Sequence, residues 1–203
     1  LQMIWEKNVK YILMTCELTE GYSNKCFGYW PKFSNMLSSN EIKLNNGLKL
    51  MNIKEKNITE NLTERNFSLT NLNDEKKDII QLHFRNWPDH GVPDINKSFE
   101  SFEKINEILN EHFDKNKSES PVVVHCSAGV GRTGTMISIF QVNYILKKHL
   151  EMKLKMFNIN IFNIARRLKE QRRYSIQTPD QYELIYKYSY FLLKKISKDL
   201  KKR

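Results

Sequence analysis

Between Pro121 and Leu150 the chain writes a strand, a glycine-rich turn and a helix in immediate succession, and any fold has to be built around that junction. Val122, Val123 and Val124 form a short β-branched run of the kind that makes a buried strand, and Thr133 to Leu150 carries helical periodicity. The residues between them, His125-Cys126-Ser127-Ala128-Gly129-Val130-Gly131-Arg132, therefore turn the chain and cap the helix. A helix start presents unpaired N–H groups and the positive end of the helix dipole, both favourable to an anion. The same field favours Cys126 as the thiolate, the nucleophilic form of the side chain. Arg132, six residues on, can return its planar fork to two oxygens of a bound phosphate. The small residues in between let the amides of Ser127, Ala128, Gly129, Val130 and Gly131 converge as an anion nest. The segment reads as a phosphate cradle with a nucleophile at its floor.

Two nucleotide-binding loops share part of this spacing. Gly129-Val130-Gly131-Arg132-Thr133-Gly134 satisfies G-x-G-x-x-G between a strand and a helix, but a dinucleotide fold needs an acidic residue about 20 positions further, at the end of a second strand. Glu151 lies instead in a Lys-rich stretch without strand character. A P-loop requires Lys and then Ser or Thr where this chain has Thr135-Met136. An isolated cysteine is ordinarily a small buried hydrophobe; the arginine and glycines around Cys126 argue against that reading.

The segment resembles the signature loop of the protein tyrosine phosphatases, H-C-x-x-G-x-x-R-[ST]-G, at every fixed position. Trp87-Pro88-Asp89-His90-Gly91-Val92-Pro93 is similar to that family's mobile lid, and Gln177-Thr178-Pro179-Asp180-Gln181-Tyr182 to its glutamine loop. The cysteine loop alone would admit dual-specificity or lipid phosphatases; the three segments together point to the tyrosine-specific branch. The resemblance runs from about Met3 to Leu193, and takes in Thr19-Glu20 through Lys25-Cys26 and Tyr29-Trp30-Pro31. It implies an α/β fold, a twisted mixed β-sheet flanked by helices, and hydrolysis of protein phosphotyrosine through a cysteinyl-phosphate. Within that scheme Cys126 is the nucleophile, and Arg132 with the amides from Ser127 to Arg132 holds the phosphoryl oxygens. Asp89 is the general acid, Gln177 and Gln181 place the hydrolytic water, and Thr133 helps release the sulfur. His125, Trp87 and Glu20 are supporting residues, Glu20 steadying Arg132, and Arg172 is a structural cation near the glutamine loop. Neither metal nor cofactor is implied. A non-catalytic phosphotyrosine-binding module is the competing reading, opposed by the retention of Cys126, Asp89, Arg132 and Gln177. Relatives carry an aromatic-walled recognition loop upstream of the segment resembling Leu1 to Trp5, so residues 1–203 are expected to be one catalytic domain lacking that N-terminal part.

With 203 residues and 40% hydrophobic content, one substantial core is affordable, and no Pro/Gly/Ser-rich linker divides the chain. Apolar runs fall well short of a membrane span. An odd number of cysteines, Cys16, Cys26 and Cys126, without metal-type spacing suits a reducing, cytoplasmic compartment. The net charge of +10 is compatible with nucleic acid, acidic membrane or an anionic substrate, but stacking aromatics among base-reading side chains are not evident. The expected partners are phosphotyrosyl proteins or peptides, with no nucleic acid.

Along the chain, Leu1 to Lys7 reads as the end of a helix and Tyr11-Ile12-Leu13-Met14 as a strand. Alternation at Ile42/Leu44, Leu48/Leu50, Ile58/Leu62 and Ile80/Leu82/Phe84 predicts antiparallel strands joined by turns such as Asn45-Asn46-Gly47. Helical spacing then predicts helices from Phe99 to about Phe113 and over Thr133 to Leu150, Ile159 to Arg172 and Pro179 to Ile196, the last burying Tyr182, Ile185, Tyr186 and Leu193.

Overall fold

The run Tyr11–Met14 forms strand β1, and its unbroken apolar character has a simple origin: it is paired on both sides. A computed structural model describes residues 1–33, 40–88, 91–116, 120–152 and 158–201. The elements are α1 (Gln2–Glu6), β1, β2 (Thr19–Glu20), β3 (Ser23–Asn24), β4 (Glu41–Lys43), β5 (Lys49–Thr59), β6 (Leu62–Thr70), β7 (Lys76–Phe84), α2 (Ile95–Asn116), β8 (Val122–His125), α3 (Gly131–Glu151), α4 (Ile161–Gln171) and α5 (Pro179–Lys201).

Six strands make one mixed sheet in the order β4-β5-β6-β7-β1-β8. From β4 to β7 the strands are antiparallel neighbours, whereas β1 runs parallel to both β7 and β8, with Met14 opposite His83 on one side and His125 on the other. A parallel strand covered on both faces needs apolar residues at successive positions, and Ile12, Leu13 and Met14 are all buried.

One face of the sheet carries the larger core, where Leu13, Leu82 and Phe84 meet Phe102 and Ile105 of α2, Met136 and Ile139 of α3, and Ile185 and Tyr188 of α5. Ile12, Leu50, Phe67, Leu69 and Ile79 form the core of the opposite face, closed by Ile4 of α1 with Tyr29 and Trp30 packed against it. The fold is the α/β arrangement expected, a mixed sheet flanked by helices. The last helix corrects the expected stripe in detail. Ile185 is buried with Leu184, Tyr188 and Leu192, but Tyr186 is 46% and Leu193 40% exposed. The true stripe steps 184/185, 188, 192, and Tyr186 and Leu193 each fall one position outside it.

Because β1 and β8 are parallel neighbours, their carboxyl ends lie side by side, and the Thr15 N–H donates to the His125 carbonyl at 3.0 Å. Residues leaving both strands, Thr15-Cys16 and Cys126-Ser127, are thereby brought together at the carboxyl ends of the strands, the side on which open α/β folds bind ligands.

Candidate active site

The cysteine loop leaves β8 at His125 and enters α3 at Gly131, two residues before the helical pattern of the sequence begins. Its N-cap is Val130, which has no side-chain acceptor, and the first turn of α3 contains no acidic residue. The leading N–H groups of the helix are thus left without a capping side chain, as an anion-binding start requires. Gly129 sits at φ +68°, a left-handed conformation that costs a residue with a side chain, and it lets the backbone fold back over the cysteine. Cys126 is buried. Its sulfur accepts from the Gly129 N–H and from the Thr133 hydroxyl, each at 3.2 Å.

Glu20 is carried to this loop by a small hairpin. β2 and β3 pair with Glu20 opposite Ser23, and Gly21, at φ +57°, opens the two-residue turn between them. Both Glu20 oxygens accept from Arg132: Oε2 from Nη2 at 2.7 Å, Oε1 from Nη1. The remaining contacts of the guanidinium go to backbone carbonyls, Nη2 donating to Pro88 at 3.3 Å and Nη1 to Thr15 at 3.5 Å. Burial works against the charge on Arg132, the Glu20 carboxylate outweighs it, and the pKa is raised. A planar fork fixed on one edge by a bidentate carboxylate has its orientation set.

The glutamine loop closes the other side. Ile176 adopts φ +59°, a rare conformation for a β-branched residue, and is held there by burial and by its N–H, which donates to the Val130 carbonyl at 3.3 Å. The Gln177 N–H donates to Gln181 Oε1 at 2.8 Å. Both glutamine side chains lie over Gly131, so tightly that a Cβ there would fall 2.5 Å from Gln177 Oε1 and 3.0 Å from the Gln181 amide. Arg172 is exposed, and its guanidinium lies against Gly129. Cys126, Thr133, Arg132, Glu20, Gln177, Gln181 and the Ser127–Gly131 backbone are therefore gathered around one loop. Trp87 is buried against Phe84 and its indole N–H donates to the Gly91 carbonyl at 3.2 Å. Asp89, the expected general acid, and His90 lie outside the described residues.

A family model described as protein-tyrosine phosphatase matches residues 1–190. The chain belongs to the protein-tyrosine phosphatase family. Tyrosine-protein phosphatase 2 of Dictyostelium discoideum is 32% identical over 191 residues, an overlap covering 91% of this chain and 46% of that relative. Tyrosine-protein phosphatase non-receptor type 9 of Mus musculus is 35% identical over 199 residues, covering 91% and 30%. The chain thus spans less than half the length of these curated relatives. Among solved structures, the catalytic domain of human protein tyrosine phosphatase non-receptor type 18 is similar with a TM-score of 0.77 at 26% identity, over 94% of this chain and 63% of that one. PTPN18 in complex with HER2 phosphopeptides is similar with a TM-score of 0.78 at 26% identity, over 95% and 66%.

Behind this phosphatase loop lies a buried polar network that sequence motifs did not reveal. Arg65 donates to Glu55 at 2.8 Å, to Gln81 Oε1 at 2.9 Å and to His83 Nδ1 at 3.1 Å. Gln81 Nε2 donates to the Tyr29 hydroxyl at 2.7 Å, and the Tyr29 oxygen is 2.8 Å from His125 Nε2 but 4.0 Å from Met14 Sδ. The phenol hydrogen therefore goes to His125 Nε2, leaving the imidazole proton on Nδ1, which donates to the Cys126 carbonyl at 3.1 Å. Burial lowers the pKa of His125 and raises that of Tyr29, so both stay neutral and the chain of donors keeps its direction.

The fold also assembles a thiol cluster that linear spacing hid. Cys16, one residue beyond Thr15, packs with Cys126 and Met14, and Cys26 packs against them. Burial pushes the Cys16 thiol up to about 12. Among the described residues no helix is long and apolar enough to cross a membrane.

Proposed function

We propose that this chain hydrolyses phosphotyrosine in proteins by way of a cysteinyl-phosphate on Cys126. The phosphate dianion enters the cradle at the uncapped start of α3, where the Ser127–Arg132 amides and the Arg132 fork meet its non-bridging oxygens. The Cys126 sulfur attacks phosphorus and the bond to the tyrosyl oxygen breaks, with Asp89 supplying the proton a phenolate of pKa about 10 needs on leaving. Water held by Gln177 and Gln181 then attacks the phosphoryl group and gives its proton back to Asp89. The P–S bond breaks as the Thr133 hydroxyl donates to the departing sulfur, and inorganic phosphate leaves.

The observation that carries this reading is the pair of 3.2 Å hydrogen bonds donated to the Cys126 sulfur, beneath an arginine already clamped by Glu20. Two donors converging on the sulfur and an arginine with a fixed orientation support a nucleophile and a phosphoryl group sharing the loop. The phosphopeptide-bound structural relative supports phosphotyrosyl peptides as the substrate class. A reducing, cytoplasmic compartment fits a thiolate enzyme.

The test compares kcat/KM for a phosphotyrosyl peptide, the matched phosphoseryl peptide and an inositol phosphate. The phosphotyrosyl peptide is expected to exceed both by at least roughly 10²-fold, the scale at which a site built for one substrate rejects another. Comparable rates for all three would replace this reading with a broad-specificity phosphatase, and tight peptide binding without turnover would replace it with a binding module.

A further inference from the structure

We propose that Cys16, Cys26 and His125 form a binding site for one zinc-class divalent cation, seated behind the cysteine loop and distinct from the phosphate cradle. One ligand atom from each residue, two thiol sulfurs and an imidazole nitrogen, lies within 4.8 Å of the others. Tetrahedral zinc, with bonds of about 2.3 Å to sulfur and about 2.0 Å to nitrogen, holds such ligands roughly 3.5–4 Å apart. Closing the triad around an ion therefore takes movements of about 1 Å or less. Two thiolates and an imidazole are a soft donor set, suited to zinc rather than to magnesium or calcium.

The histidine is already in the tautomer a metal would select. Its Nδ1–H is engaged by the Cys126 carbonyl, the backbone contact that commonly orients a metal-bound imidazole. Its Nε2, the nitrogen left without a proton, accepts from the Tyr29 hydroxyl at 2.8 Å. Tyr29 in turn packs beside Cys16 and Cys26. The ion must displace the hydrogen bond from Tyr29, that from the Cys26 thiol to the Phe27 carbonyl and the thiol contact between Cys16 and Cys26, together with two thiol protons, which pass to solvent; no electron is transferred. A cavity of about 500 Å³ lined by Cys26, Tyr29, His125 and Cys126 provides entry and room for a water as fourth ligand. The phosphatase chemistry uses neither Cys16 nor Cys26, and the sulfur it does use is committed to Gly129 and Thr133.

An ion drawing His125 away from Tyr29 pulls on the residue preceding the nucleophile. Occupancy therefore lowers kcat without competing for the cradle, a consequence that rests on the proposed activity, whereas binding itself does not.

The experiment titrates cobalt(II), a spectroscopic substitute for zinc, into the 203-residue chain carrying Cys126→Ser. Expected is one ion per chain, with thiolate-to-cobalt charge-transfer absorption that is lost when Cys26→Ser or Cys16→Ala is added. Tyr29→Phe, which removes the competing hydroxyl, is expected to tighten binding severalfold, so the site is also tested by a gain that misfolding cannot imitate. With the wild-type cysteine loop, zinc is expected to lower kcat at unchanged KM, reversibly by chelator, and Cys26→Ser to raise the half-inhibiting zinc concentration at least tenfold while leaving the metal-free kcat within twofold. Charge-transfer absorption that needs Cys126 would assign the ion to the nucleophile and overturn the proposal. So would absorption indifferent to Cys26→Ser and Cys16→Ala, or none in any variant.

Discussion

Arg132 owes its position to Glu20 more than to its own backbone. A free arginine has many rotamers, and the entropy of fixing one is spent here before substrate binds, because both carboxylate oxygens grip the fork from a buried side. Glu20→Gln keeps the size and loses the charge and one acceptor. It is expected to lower kcat/KM for a phosphotyrosyl peptide by roughly 10–100-fold, the usual effect of removing a group that orients a ligand-holding side chain. Steady-state kinetics would show this mostly in KM for a phosphate ester; an unchanged kcat/KM would mean Arg132 finds its place unaided. Residue by residue, the cradle could be read from the sequence because its members lie within ten positions and their spacing is itself the geometry. Glu20 came only through the resemblance, since nothing in the run Leu18 to Lys25 says that a hairpin will point it across the fold.

Elements show where local patterns stop being informative. In β7 the alternation Ile80, Leu82, Phe84 makes Gln81 and His83 look solvent-facing, yet they are among the most buried residues of the chain. The second face of the sheet is covered by Tyr29 and Trp30, which sit more than 50 residues away in sequence, and the inward polar positions are satisfied by Arg65. His83 accepts from Arg65 at Nδ1 and donates from Nε2 to the Cys16 carbonyl at 2.8 Å, a pairing only the neutral ring can make. Burial lowers its pKa to about 4. The unfolded chain, with an ordinary histidine near 6.5, binds the extra proton between those values, so the stability His83 contributes is complete above about pH 6.5 and is lost as pH falls toward 4. The full effect is about 3 kcal/mol. Urea midpoints from pH 7.5 down to 4.5 are expected to fall, with a shallower slope in His83→Gln; identical slopes in the two proteins would contradict it.

The start of α3 offers a second test at this scale, because two of its glycines are tight for different reasons. At Gly134 a Cβ would meet Ile176 N at 2.8 Å and Ser175 Cα at 3.2 Å, both backbone, and Gly134→Ala is expected to destabilise by about 1–3 kcal/mol through overpacking. At Gly131 the neighbours are only side-chain ends, those of Gln177 and Gln181. Gly131→Ala is therefore expected to keep or raise the melting temperature, alanine being the better helix former, while pushing the Gln177 amide aside and lowering turnover by roughly 10²-fold. Melting curves and kcat measured on both variants would separate the cases. Equal losses of stability would show that the glutamine loop cannot yield.

For the molecule as a whole, the sheet order builds the site: β1 and β8, parallel and adjacent, end together, so that His125 at the end of β8 and Cys16 and Cys126 just beyond the two strands meet, with Cys26, beyond β3, packed against them. The helices and the strands of the mixed sheet could be anticipated because each is written in a continuous stretch with its own period; the short β2–β3 hairpin, two residues a strand, has none. Contacts made across the parallel pair could not, since residues such as Cys16 and His125 share no pattern until the register brings them side by side. That separation also explains why three cysteines without metal spacing become a cluster. If phosphorus passes through the Cys126 sulfur, mixing the chain with a radiolabelled phosphotyrosyl peptide, denaturing it within milliseconds and mapping the bound label will catch it there. A stoichiometric phosphoryl group on the peptide containing Cys126, absent from Cys126→Ser although that variant still binds the substrate, is the predicted result; label on any other residue, or turnover by Cys126→Ser, would contradict it.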